Sequence, residues 1–209
     1  MTKHTIVSIS GCQGSGKTTT STRLIEELRY RGAIAHSIKF AEIIYKMHDA
    51  VVAVGVEYGI PMLKKESTLL QYLGTDFGRN TKGEDVWVNA VRHKILSIIE
   101  SYPTATSCFF VIDDCRFTNE FHGFDGIEEE GIVNILRVRL EATEEERKAR
   151  TDSWRSNTTH VSEAGLDEYS AAGLFDKYYN TGAGGSFTVD IVDDILDSIL
   201  DDKIKAVSP

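Results

Sequence analysis

The segment Gly11–Thr18 reads G-x-x-x-x-G-K-T and stands between two stretches of opposite character. Ahead of it runs Thr5–Ser10, apolar and rich in β-branched residues, and behind it a helical pattern continues to about Gly32. Strand, glycine-rich turn, helix is an order that few folds satisfy. Glycines at 11, 14 and 16 let the backbone turn tightly and aim successive N–H groups inward at the start of a helix, which makes a concave site for phosphate oxygens. Gly11, Gly14, Ser15, Gly16, Lys17, Thr18 and Thr19 are therefore the candidate nucleotide-binding residues. The Lys17 ammonium can follow a phosphoryl group between donor and acceptor, and the Thr18 hydroxyl can ligate the magnesium of a nucleoside triphosphate.

With 209 residues, 41% of them hydrophobic, the chain suits one compact domain over 1–209, with inserts rather than a second domain. A formal net charge of −9 argues against a general nucleic-acid or anionic-membrane surface, so phosphate binding must be local. Cys12, Cys108 and Cys115 form no C-x-x-C pair, which fits a reducing, cytoplasmic compartment. The first residues lead directly into a strand, and no apolar stretch approaches the roughly 20 residues of a membrane span. A soluble, unprocessed chain is expected.

Strand and helix signals alternate, which points to a parallel sheet covered by helices on both sides. Strands are expected at Thr5–Ser10, Ala33–Lys39, Cys108–Asp113, Asn134–Leu140 and near Tyr178–Thr181. Helices are expected at Lys17–Arg31, Ala41–Gly55, Lys65–Arg79, Glu84–Tyr102, Thr143–Trp154 and Val189–Lys205. The helical length between the second and third strands exceeds what a crossover needs, so the excess is expected to form a lobe over the phosphate loop. Thr143 with Glu146 makes a capping box for the helix that carries Arg147 and Arg150. The acids Asp193, Asp194, Asp197, Asp201 and Asp202 read as a solvated helix face.

Phe109–Ile112 followed by Asp113 and Asp114 is the pattern of a buried parallel strand that ends in carboxylates at its carboxyl edge. Either acid could orient magnesium through its water shell. Arg116 follows at once and could bind an acceptor phosphate in a bidentate manner or neutralise Asp113, Asp114 and Glu120. Gln71–Arg79 reads as a helix running into a glycine-bounded turn, where Arg79 suits a monophosphate and Gln71 a base edge. Phe40 and Trp87 read first as core residues, with stacking on a base the alternative. Arg147, Arg150 and Arg155 form a basic stretch suited to a lid that closes over a migrating phosphoryl group. His160 has no partner at zinc-ligand spacing.

Together these pieces resemble the deoxynucleoside monophosphate kinases of tailed bacteriophages, within the wider nucleoside monophosphate kinase group. The likeness spans nearly the whole chain. It rests on Gly11–Thr18, Lys39-Phe40-Ala41, Leu70-Gln71-x-x-Gly74-Thr75-x-x-Gly78-Arg79 and Asp85-x-Trp87. Asp114-x-Arg116-Phe117-x-Asn119-Glu120, His160-x-Ser162-Glu163 and Asn180-Thr-Gly complete it. One departure is Ser67, where relatives often carry an arginine, with Lys64 and Lys65 just upstream. The resemblance implies a P-loop NTPase fold, a three-layer α/β/α arrangement on a five-stranded parallel sheet. A helical monophosphate-binding lobe over 41–102 and an arginine-bearing lid over 143–165 would be inserted in it. It implies transfer of the ATP γ-phosphoryl to a deoxynucleoside monophosphate with Mg2+, in the cytoplasm of an infected bacterium, by a possible homodimer that binds no nucleic acid directly. Lys17, Arg116, Arg147 and Arg150 would act in catalysis. Lys39, Phe40, Gln71, Arg79, Trp87, Asp114, Arg116 and Glu120 would bind substrate, and Thr18 and Asp113 would serve the metal. Rival readings are a kinase for another phosphorylated small molecule, of the dephospho-coenzyme A or phosphomevalonate kind, and an ATP-dependent switch protein.

Overall fold

A strand buried on both faces needs apolar side chains on both, and the central strand of this chain has them. In the computed structural model, which describes residues 3–150, 165–182 and 187–205, β1 (His4–Ser10) is buried at every position. It lies between β3 (Cys108–Cys115) and β4 (Val133–Glu141), with β2 (Ile34–Ile38) outside β3 and β5 (Lys177–Asn180) outside β4. All four pairings are parallel, in the order β2-β3-β1-β4-β5.

Alternation along the strands sorts the core into two layers. Ile6, Ile38, Phe110 and Ile112 face one cluster with Val88, Val91 and Ile95 of α4 (Val86–Glu100). Val7, Ile9, Val111, Val138 and Leu140 face the other, with Leu24 and Leu28 of α1 (Lys17–Tyr30) and Ile191, Ile195 and Ile199 of the last helix. The result is helices, sheet, helices.

Between β2 and α4 the chain makes α2 (Glu42–Glu57), α3 (Ser67–Gln71) and a π-helical segment, Tyr72–Asn80. Only His48 and Gly55 of α2 are buried, so this part stands off the sheet, whereas α4 returns to it. The expected single helix over 65–79 is divided into α3 and the π-helical segment, and the Trp87 indole N–H inserts against the latter, donating to the Gly74 carbonyl at 2.8 Å. Past β3 come two short helices with no periodic signal in the sequence, α5 (Thr118–Phe121) and α6 (Asp125–Glu129). α7 (Glu144–Ala149) starts at the anticipated Thr143–Glu146 capping box, and its anticipated extension to Trp154 lies outside the described residues. A further short helix, α8 (Asp167–Ala171), precedes β5, and α9 (Phe187–Lys205) ends the fold. No helix among the described residues is long and apolar enough to cross a membrane.

The carboxyl ends of β1, β2 and β3 meet at one edge. β1 and β3 lose register there: Ser8 pairs with Ile112, but Ser10 pairs with Cys115. β3 thus carries one residue more than its neighbour across Asp113 and Asp114, and such a bulge re-aims side chains at a sheet edge.

Candidate active site

The glycines of the loop occupy backbone conformations that side chains resist. Gly14 and Gly16 have φ of 81° and 91°, and a Cβ on Gly11 would lie 2.3 Å from the Leu140 carbonyl oxygen. Gly16 caps the start of α1, so the loop amides and the helix N-terminus converge on one hollow. The Lys17 ammonium lies over the loop and donates to the carbonyls of Gly11 at 2.6 Å and Cys12 at 2.8 Å. Thr18 and Thr19 are exposed on the hollow, whereas Ser15 is buried beneath it. Thr181 anchors the loop from behind: its single hydroxyl proton is shared between the Ser15 carbonyl at 2.9 Å and that of Glu141 at 3.1 Å.

The bulge separates the two acids. The Asp113 carboxylate, 5% exposed, turns toward α1, where the Ser21 hydroxyl donates to it at 3.0 Å and the Lys39 ammonium lies 2.9 Å away. Asp114 turns toward the lobe and accepts the backbone N–H groups of Phe40 and Ala41, each at 3.0 Å. Burial pushes the Asp114 carboxyl up, against the pull of those two N–H groups. Asp113 is thus at the phosphate loop, while Asp114 fixes the entry to the lobe. Thr18 and Asp113 supply hard oxygen donors of the kind magnesium accepts. Among the described residues, no group of three or more His, Cys, Asp or Glu side chains could hold a metal ion by itself.

Two cavities adjoin at this edge. One, about 380 Å³, is lined by Gly14, Gly16, Lys17, Thr18 and Thr19, with Asp113 and Arg150. The other, about 660 Å³, opens under the lobe between Phe40, Ile44, Tyr45, Trp87 and Phe117, with Arg79 and Glu120 in its wall. Lys39, Asp114 and Arg116 line both. The larger cavity therefore pairs an aromatic and apolar body with cations at the end nearest the phosphate loop.

Arg79, in the last turn of the π-helical segment, has its guanidinium 4.0 Å over the Phe117 ring and 3.3 Å from Glu120. Phe40 is buried in the core, stacked on Phe124 at 6.0 Å, so its place in the cavity wall comes with a packing role. Trp87 is also buried, wedged against Gly78 and bonded to Gly74, so its wall position comes with a packing role. Gln71 is exposed and forms no part of either cavity wall. Arg147 of α7 donates to the Gln13 carbonyl at 3.1 Å, and Arg150, at the cap just past α7, reaches both the hydroxyl and the carbonyl of Thr181. The lid candidate Arg155 and the motif residue His160 lie outside the described residues.

Ser21, Glu42 and Tyr45 were not anticipated as part of the site. Ser21 sits one turn beyond Thr18 on α1, and the hydroxyl run Thr18–Ser21 was the available signal. Glu42 and Tyr45 line the cavity from α2, whose placement over the sheet edge periodicity does not encode. Asn119, part of the motif after β3, bonds Asp85 at 3.0 Å and the Glu84 carbonyl at 3.1 Å, tying that loop to the start of α4.

No known protein-family model matches the chain, and no curated protein sequence matches it. Solved structures do. A gluconokinase from Sinorhizobium meliloti aligns over 100% of this chain and 100% of its own length, with a TM-score of 0.54 at 10% identity. The APS kinase of Mycobacterium tuberculosis, solved with AMPPNP and APS, aligns over 94% of this chain and 98% of its own, with a TM-score of 0.52 at 9% identity. Likeness at such low identity establishes the fold and nothing finer: the chain has the three-layer α/β/α P-loop NTPase fold on a five-stranded parallel sheet.

Proposed function

We propose that this chain is a kinase that transfers the γ-phosphoryl group of ATP to a deoxynucleoside 5′-monophosphate, giving ADP and the diphosphate. The observation that carries the reading is the pair of adjoining cavities with Lys39, Asp114 and Arg116 in both linings. A donor phosphate in the loop and an acceptor phosphate under the lobe would meet at the two cations, where charge develops during transfer. The aromatic and apolar walls of the larger cavity suit a planar base, and Arg79 and Arg116 suit its phosphate.

In this scheme the loop amides and Lys17 bind the β- and γ-phosphates. Arg116 and Lys39 offset charge between the reacting oxygens, while Arg147 and Arg150 hold the loop closed from the α7 side. Thr18 and Asp113 would hold magnesium, which when bound neutralises phosphate charge. The acceptor is already anionic at neutral pH, so no strong general base is required.

The neighbours in fold are named for unlike acceptors, APS and gluconate, and a kinase for another small molecule is the second reading. ADP formation from Mg-ATP, measured with each deoxy- and ribonucleoside monophosphate and with APS and gluconate, separates the two. Stimulation by one or more deoxynucleotides far above the no-acceptor rate supports the proposal. Stimulation only by another acceptor would replace it.

A further inference from the structure

Glu120 is a carboxylate kept in a costly place. It is 4% exposed, and one oxygen accepts the backbone N–H groups of Arg116 at 2.8 Å and Phe117 at 3.1 Å. The other accepts from Arg79 at 3.3 Å. The first two contacts come from the loop after β3 and the third from the π-helical segment of the lobe, so one side chain spans the seam between the two halves of the larger cavity.

The position is also the third residue of α5, where a Glu or Gln that reaches back to the N-cap backbone is ordinary capping chemistry. Capping alone needs no charge. A glutamine would serve it without the penalty of burying a carboxylate.

Resting on the reading of this cavity as the acceptor site, we propose that Glu120 is a positioning residue. Its buried carboxylate sets Arg79 over the Phe117 ring and fixes the backbone of Arg116, so both guanidinium groups are in place before the acceptor phosphate arrives.

The groups facing Glu120 are few. Arg79 approaches from the lobe, Asp114 from β3, and the loop after β3 presents N–H groups. The neighbouring Cys115 thiol is driven up by burial and carries no charge at neutral pH. Burial, with a further push from Asp114, raises the Glu120 carboxyl to about 7. Arg79 is therefore expected to lose its partner as pH falls through that value.

The test is the isosteric variant Glu120→Gln, which keeps an oxygen for the two N–H groups but turns an amide N–H toward Arg79. Its acceptor KM should rise about tenfold or more. The KM for ATP and the circular dichroism spectrum should stay those of the parent. Combined with Arg79→Ala it should add nothing to the loss from Arg79→Ala alone. The acceptor's own second ionisation, at about 6, persists in every variant. The component near 7 in the parent pH profile should vanish in Glu120→Gln. A parental acceptor KM and pH profile in that variant, or a loss additive with Arg79→Ala, would overturn the proposal.

If no monophosphate is turned over by the parent, the reading of the cavity fails and Glu120 is judged by binding. With AMPPNP filling the phosphate loop, sulfate is titrated calorimetrically as a probe that does not itself change charge near neutrality. Equal weakening by Glu120→Gln and Arg79→Ala sustains the positioning role, and unchanged sulfate binding in Glu120→Gln defeats it.

Discussion

Lys17 shows how much of this site is fixed by single residues. Its ammonium already lies over the loop, bonded to the carbonyls of Gly11 and Cys12, where it can pass to a phosphate oxygen without a large movement. Lys17→Ala is expected to lose about 3 kcal/mol or more of transition-state stabilisation, the scale of one key electrostatic contact. Steady-state kinetics should show that as a drop of about two orders of magnitude in kcat/KM with the fold intact. Glu120 contributes in the opposite sense to stability. Its carboxyl rises from 4.5 to about 7 on folding, so the folded chain holds the extra proton between those values. Stability from this group is present below the unfolded value and is lost as pH rises through the folded one. The cost on the alkaline side is roughly 3 kcal/mol. Urea unfolding between pH 5 and pH 8 should show that fall in the parent and a flatter profile in Glu120→Gln. The loop residues were legible in the sequence because glycine spacing encodes strained backbone locally. The roles of Glu120 and of Asp113 against Asp114 were not, because they follow from burial and from a one-residue bulge that tertiary pairing creates.

Among the elements, the π-helical segment Tyr72–Asn80 departs furthest from sequence expectation. Local propensity allows a helix across 65–79, and what changes its register is a residue several positions further on: Trp87 takes the Gly74 carbonyl and lies so close to Gly78 that a Cβ there would meet its ring at 2.2 Å. Gly78→Ala should therefore displace the indole, destabilise the fold by about 1–3 kcal/mol and weaken acceptor binding through Arg79. Adding Trp87→Phe, which removes the clashing part of the ring, should recover stability more than acceptor affinity. Thermal denaturation and acceptor KM, measured on the parent and on these two variants, check this. The phosphate loop has its own brace, since Thr181 bonds the Ser15 carbonyl from beyond β5. Thr181→Val should cost about 1 kcal/mol of stability and raise the KM for ATP but not for the acceptor. The resemblance motif Asn180-Thr-Gly marked the place, but strand and loop are far apart in sequence and only the sheet brings them together.

At the scale of the whole molecule, two apolar layers hold one parallel sheet, and the sheet brings three carboxyl ends to a common edge. Alternating strand and helix signals made the layered class legible. The order β2-β3-β1-β4-β5 was not, because crossover connections and not local pattern determine it. The edge receives the phosphate loop from β1, Lys39 and Phe40 from the end of β2, and Asp113, Asp114 and Arg116 from β3. The two cavities share a wall for that reason. The measurement that addresses this arrangement most directly follows the γ-phosphoryl of labelled ATP in the presence of each deoxynucleoside monophosphate. The expected result is label in a deoxynucleoside diphosphate, dependent on Lys17 and on Arg79. Label released only as inorganic phosphate, at a rate indifferent to every acceptor, would contradict the claim that the two cavities exchange a phosphoryl group.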